Sequence, residues 1–206
     1  MAGPKAAPLR QIVIWTALLI VIIVPIVLAG MSPLLAWREP IYIAAGFAGV
    51  IGLALILLQP LLAGGYLPGL PAPQGRRVHR WVGISLVLAV VLHVVGLWIT
   101  SPPDVVDVLL FRSPTPCSLW GVAAMWAVFA AALIAVLRRR FPLRLWRLCH
   151  TALVVIVVIG TVVHAMLIEG TMETVSKAVL CALVLVATIK VIADLRVWAG
   201  RKRQKT

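Results

Sequence analysis

Six apolar runs of membrane-spanning length take up most of the chain, at roughly residues 11–30, 40–62, 79–99, 118–138, 146–168 and 174–197. Each is close to the ~20 residues that an α-helix needs to cross a hydrocarbon layer about 30 Å thick. No water inside that layer satisfies backbone N–H and C=O groups, so runs of this length fold as helices. The expected fold is an all-α membrane protein, a six-transmembrane-helix bundle that forms a single domain over residues 1–206. Its short connections leave no room for a soluble catalytic module. Composition points the same way: 63% of residues are hydrophobic and 12% charged, with a mean hydropathy of +1.10, which excludes a water-soluble globule.

The net charge of +13 would suit nucleic acid if it formed one solvated patch, but the charges sort by connection. Lys5 and Arg10 precede the first span, and Arg76, Arg77 and Arg80 lead into the third. Arg138, Arg139, Arg140, Arg144 and Arg147 separate the fourth from the fifth, and Lys190, Arg196, Arg201, Lys202, Arg203 and Lys205 end the sixth. These sixteen basic residues fall on one face, whereas the other has Arg38, Arg112 and Lys177 with five of the six acids, Glu39, Asp104, Asp107, Glu169 and Glu173. The positive-inside rule places both termini in the cytoplasm. Membrane lipid, and no nucleic acid, is the expected partner of this charge.

The opening "MAGPKAAPLR" looks like the charged start of a signal peptide, but the apolar run from Ile12 to Ala29 is longer than the ~7–15 residues of a signal h-region. It reads as an uncleaved first helix. Trp81, Trp146 and Trp198 fall near the expected inner boundary and Trp37, Trp98 and Trp120 near the outer one, the pattern of an interfacial aromatic belt. Trp15 and Trp126 lie deeper and fit no such role. Cys117, Cys149 and Cys181 form no CxxC and read as small packing residues, with neither a disulfide nor a zinc site implied.

The chain has four histidines, and all of them lie on two spans. The third carries His79 and His93 and the fifth, "HTALVVIVVIGTVVH", carries His150 and His164, so histidine, thirteen residues, histidine is repeated. At about 100° per residue this spacing comes to about 1400°, some 40° short of four turns, with a rise of about 21 Å. Both imidazoles of a span therefore share one face, one near the inner boundary and one toward the outer leaflet. Because the two spans run in the same direction, His79 is expected to face His150 and His93 to face His164.

Ionisable groups in hydrocarbon are costly and mark functional positions. Two opposed imidazoles in an apolar slot suit haem, a flat macrocycle whose iron accepts one nitrogen from each side. Zinc takes three or four protein ligands, more than either pair supplies. No CxxCH occurs, so attachment is of the b type, and two levels give two b haems between the third and fifth helices. Two axial histidines leave no open position on iron, so the expected chemistry is electron transfer and no residue is assigned a catalytic role. Arg76, Arg77, Arg80 and Arg147 crowd the inner level as candidate partners for haem carboxylates, although topology alone also explains them. Gly83, Gly96 and Gly160 lie on or near the histidine faces, either for close approach of the macrocycle or for helix packing.

The segments "RRVHRWVGISLVLAVVLH" (76–93), "SLWGVAAMWAV" (118–128) and "RLWRLCHTALVVIVVIGTVVH" (144–164) resemble the ferric reductase-like transmembrane domain, found in ferric reductases and in the membrane part of NADPH oxidases. The resemblance covers helices two to six and implies that His79, His93, His150 and His164 ligate two b haems. A more distant likeness is to the haem-binding membrane subunit of the periplasmic methionine sulfoxide reductase system. The resemblance implies a multi-pass protein of the bacterial cytoplasmic (inner) membrane, a ferric reductase-like membrane component of an oxidoreductase system. That family usually continues into flavin- and NADPH-binding domains, but no GxGxxG follows a strand here and no flavin site is expected in this chain. The expected donor is a separate cytoplasmic flavin reductase or membrane quinol. The expected acceptor is a periplasmic protein or ferric iron, reached under the outer loop of residues 100–118.

Two other classes fit the sequence less well. A quinone-linked cytochrome of the b561 type would carry its haem histidines on four helices, and a non-redox transporter or channel using histidines would want further intramembrane carboxylates. The proline-rich "GGYLPGLPAPQG" (64–75) reads as a stiff linker on the basic side.

Overall fold

The computed structural model describes residues 6–203. Lys5 and Lys205 lie outside the described residues, as do the side chains of Arg196, Trp198, Arg201, Lys202 and Arg203. The chain forms α1 (Ala6–Gly30), α2 (Pro40–Ala63), α3 (Ala72–Thr100), α4 (Pro102–Leu109), α5 (Pro116–Val136), α6 (Leu143–Leu167) and α7 (Thr174–Arg203), with short 3-10 turns at Pro33–Leu35 and Leu137–Arg140. Six of these helices, all but α4, are long and apolar enough to cross a membrane. Among the described residues there is no strand.

Helix ends depart from the hydropathy boundaries for an identifiable reason. The third apolar run begins near residue 79, but α3 begins at Ala72, where Pro71 occupies the cap and Pro73 the first turn. Proline at the start of a helix has no N–H to leave unpaired and a φ already set for helix. The charged first turns therefore stay helical beyond the apolar stretch, and hydropathy marks where the hydrocarbon ends, not where the helix does. The same effect produces α4. Its "SPPDVVDVL" was expected to be loop, yet two prolines open it and Asp104 lies in its first turn, where a carboxylate is favoured. Glu173 does the same for α7: its carboxylate accepts the N–H groups of Val175 and Ser176, each at 2.7 Å. Those bonds hold its pKa below the ordinary carboxylate value.

Two antiparallel pairs form the body, α2 packed along α3 and α5 along α6, with α7 against α2 and α6 and α1 against α2 and α7. The core joins Leu53, Ile56 and Leu57 of α2, Leu86 of α3, Ala127 and Val128 of α5, Val157 and Val158 of α6, and Leu180, Cys181 and Val184 of α7. Large apolar side chains such as Ile12, Leu19, Leu92, Val186 and Ile189 point outward, as a surface facing lipid tails requires. Small residues set the closeness of each pair. A Cβ on Gly96 would lie 2.7 Å from that of Ala45, and one on Gly160 would lie 2.9 Å from the carbonyl oxygen of Trp120. These two glycines therefore serve helix packing.

The linker between α2 and α3 is pinned from two sides. Gly65 and Gly69 take positive φ to turn it. The Tyr66 hydroxyl donates to Asp194 of α7 at 2.5 Å, Lys190 donates to the same carboxylate at 2.9 Å, and the indole N–H of Trp15 on α1 donates to the Pro68 carbonyl at 3.2 Å. Burial, followed by the bond to Asp194, raises the Tyr66 phenol above its ordinary pKa. Trp15, unexplained by the sequence pattern, is thus a strap on this linker.

Candidate functional site

The four histidines lie on α3 and α6, which among the described residues are not in close backbone contact along their lengths, each being backed by its own partner helix. His79 and His150 lie within electrostatic reach of one another, and so do His93 and His164. One histidine pair thus lies toward each end of α3 and α6.

At the level away from the basic linkers, both rings are fixed in the same way. His93 Nδ1 lies 2.8 Å from the Ala45 carbonyl oxygen on α2, and His164 Nδ1 lies 2.7 Å from the Cys117 carbonyl oxygen on α5. A carbonyl only accepts, so each Nδ1 bears the proton and each Nε2 keeps a free lone pair. One helical turn on from each acceptor is a glycine under the ring. A Cβ on Gly49 would come 3.1 Å from His93 Nδ1, and one on Gly121 would come 2.7 Å from His164 Nδ1. The α2–α3 and α5–α6 pairs present these histidines as two copies of one device.

The level near the basic linkers is looser. His79 Nδ1 lies 3.3 Å from the Gln59 carbonyl, longer than a usual N–H···O bond. His150 Nδ1 is buried without a hydrogen-bond partner, and so is Gln59 Oε1. Instead of a carbonyl, His150 has Trp146, stacked at 5.3 Å between centroids and 9° between planes. Trp146 is itself held by its N–H to the Ile134 carbonyl at 3.2 Å and by the Arg138 guanidinium 5.0 Å from its ring. A Cβ on Gly83 would lie 3.3 Å from Gln59 Nε2.

The arginines are arranged differently. Arg77 and Arg80, with Trp81 and Ile84, line an outward cavity of about 480 Å³, and helical geometry places Arg77, Trp81 and Ile84 about 140–200° around α3 from His79. Arg76 and Arg147 are exposed. At the opposite end Lys177 is buried, 7% exposed, and donates to the Ile168 carbonyl at 2.8 Å. Since Ile168 N–H bonds in turn to the His164 carbonyl, this lysine closes the C-terminal end of α6, where a cation is favoured.

Sequence patterns did not indicate Ala45, Gly49, Gln59, Cys117 or Gly121 as neighbours of the histidines. Every residue has a backbone carbonyl, so the acceptors have no residue-type signal. The glycines leave one only in hindsight, each standing four positions after its acceptor. Among the described residues no three His, Cys, Asp or Glu side chains converge on one point, so each level offers a metal no more than its two imidazoles.

Neither the curated proteins nor the solved structures contain a significant match to the chain. The family model described as "Ferric reductase like transmembrane component" matches residues 45–161, a span that runs from Ala45, whose carbonyl accepts from His93, through His79, His93 and His150 and ends three positions before His164. Covering more than half of the chain, this match shows that the protein belongs to the ferric reductase-like transmembrane family.

Proposed function

We propose that this protein is a di-haem b-type transmembrane electron-transfer protein, taking electrons at its basic, cytoplasmic face and delivering them to an acceptor on the other side. One observation carries the reading: α3 and α6 each carry two histidines with thirteen residues between them, each cross-helix pair near enough for one imidazole to act electrostatically on the other, on helices that share little backbone contact among the described residues. Family membership adds that such domains generally bind haem.

The residues fit that group. Each pair supplies two imidazole nitrogens, as many protein ligands as a bis-histidine haem iron would take, and bound haem would supply a reversible one-electron couple at each level. His79 and His150 would hold the inner iron, and His93 and His164 the outer one. The Ala45 and Cys117 carbonyls fix the outer tautomers and leave each Nε2 unprotonated, able to ligate. The orphaned Gln59 Oε1 marks the inner level as a place where the protein alone leaves polar atoms unsatisfied. Of the arginines, Arg76, Arg80 and Arg147 remain the candidates for haem carboxylates, with Arg77 turned furthest from the histidine face. Substrate has no place on either iron, so the donor, a separate flavin reductase or membrane quinol, and the acceptor, a periplasmic protein or ferric iron, meet the protein at its two ends. The acceptor end carries α4 and a cavity of about 160 Å³ lined by Phe111, Ser113 and Thr115 among others.

Reduced-minus-oxidised spectroscopy and pyridine haemochrome quantification of the purified protein test this. The expected outcome is a b-type spectrum with about two haems per chain; a colourless protein from haem-sufficient cells would refute the proposal.

A further inference from the structure

The two levels are built alike in their histidines but not in what stands behind them, and that difference has an electronic consequence. The outer imidazoles each donate a short bond, 2.8 and 2.7 Å, to a backbone carbonyl. Of the inner imidazoles, one reaches its carbonyl only at 3.3 Å and the other has no acceptor. A ligating imidazole whose far N–H is hydrogen-bonded becomes a stronger electron donor to its metal, and stronger donation favours the oxidised metal. Fixed charge acts in the same sense. The inner level lies beside the linkers carrying Arg76, Arg77, Arg80 and the 138–147 cluster, whereas the outer connections carry five acids, Glu39, Asp104, Asp107, Glu169 and Glu173, against three cations, Arg38, Arg112 and Lys177. Positive surroundings favour the electron-bearing state and negative ones oppose it.

Resting on the di-haem reading, we infer that the protein sets its two irons apart in potential, the outer one low and the inner one high, with Ala45–Gly49 and Cys117–Gly121 as the positioning elements of the low-potential level. Gly49 and Gly121 act through the histidines: a methyl group at either position would push the ring off its carbonyl. Trp146 stacks on the face of His150, whose Nδ1 has no acceptor. An outward electron then rests on the inner level until something draws it on. A membrane potential, negative inside, acts in that direction on a negative charge, so outward transfer is coupled to the energised state of the membrane.

The test is a potentiometric titration of the purified holoprotein, followed optically and by low-temperature EPR of the ferric forms, with levels assigned by His164→Ala and His79→Ala. The expected result is two midpoints, with the ferrous-to-ferric ratio of the inner level exceeding that of the outer at least about tenfold at any one poise. Gly121→Ala raises the lower midpoint alone, and Trp146→Leu moves the upper one alone. Gly49→Ala, with the milder approach of 3.1 Å, repeats the first effect if Gly121→Ala fails to assemble. If His164→Ala removes the higher midpoint, or if the two midpoints coincide, the inference is overturned while the di-haem reading stands. If the wild-type protein carries no haem, or only one, it is that reading which fails.

Discussion

Single residues decide which imidazoles work together. His93 on α3 and His164 on α6 lie in electrostatic reach, so on the di-haem proposal both substitutions should empty the same site. His93→Ala, His164→Ala and the double variant should each retain about one haem per chain, with the same residual spectrum. Loss of different haems from the two single variants would show that the pairing is wrong. The spacing of these histidines was fully legible in the sequence, because side chains fourteen positions apart return to one helix face whatever the packing. Their acceptors were not. The Ala45 and Cys117 carbonyls lie 48 and 47 positions away in sequence, and only the register between neighbouring helices brings them to the rings. Cys117 is instructive here: as a thiol it suggested packing, and it contributes through its backbone.

At the scale of the helices, glycine fixes that register. Gly160 on α6 faces the carbonyl oxygen of Trp120 and the Cβ of Ala124 on α5, at 2.9 and 3.0 Å from an added Cβ, and backbone cannot swing aside as a flexible side chain can. Gly160→Ala should therefore wedge α5 from α6 at a cost of about 1–3 kcal/mol, the range for overpacking a close contact. Gly46 on α2 is the control, since a Cβ there meets nothing within 4 Å, and Gly46→Ala should be neutral or slightly stabilising. Thermal unfolding in detergent, with haem loss as a second readout, separates the two; equal melting temperatures would remove the register argument. The six long helices were visible in advance because hydrocarbon thickness dictates their length. The one helix that was not visible, α4, is eight residues long and lies outside that constraint, and its two prolines are as much a loop signal as a helix start. The glycines were legible as close approaches, but whether to a cofactor or to another helix depended on which face the neighbour took.

At the scale of the whole molecule, the charge asymmetry bears on the proposed direction of electron flow. By sequence, sixteen basic residues belong to the tails and connections that the positive-inside rule assigns to one side, the 64–75 linker and the 138–147 turn among them, and five of the six acids belong to the other connections. Such a field attracts an acidic donor and speeds its encounter in a salt-dependent manner. The linker at this face is held by Trp15, Tyr66 and Lys190, so a docking partner meets a fixed surface. The cavity beside Arg77, Arg80 and Trp81 opens outward on the same end. Reduction by a soluble flavin reductase with NAD(P)H should therefore begin at the basic face, fall steeply as salt rises through the range where the Debye length shrinks below about 10 Å, and lose much of that dependence when Arg76, Arg77 and Arg144 are neutralised together. The experiment needs vesicles of known orientation, with donor on one side and a membrane-impermeant acceptor on the other. Reduction of the acceptor across the membrane is the expected result. An acceptor reduced only on the donor's own side refutes transmembrane transfer, because no path then joins the two histidine levels. A rate unmoved by salt and by the arginine substitutions leaves the conduit in place but assigns the basic face to membrane topology alone, and the donor would then be sought within the bilayer, as a quinol reaching the inner level from the lipid side.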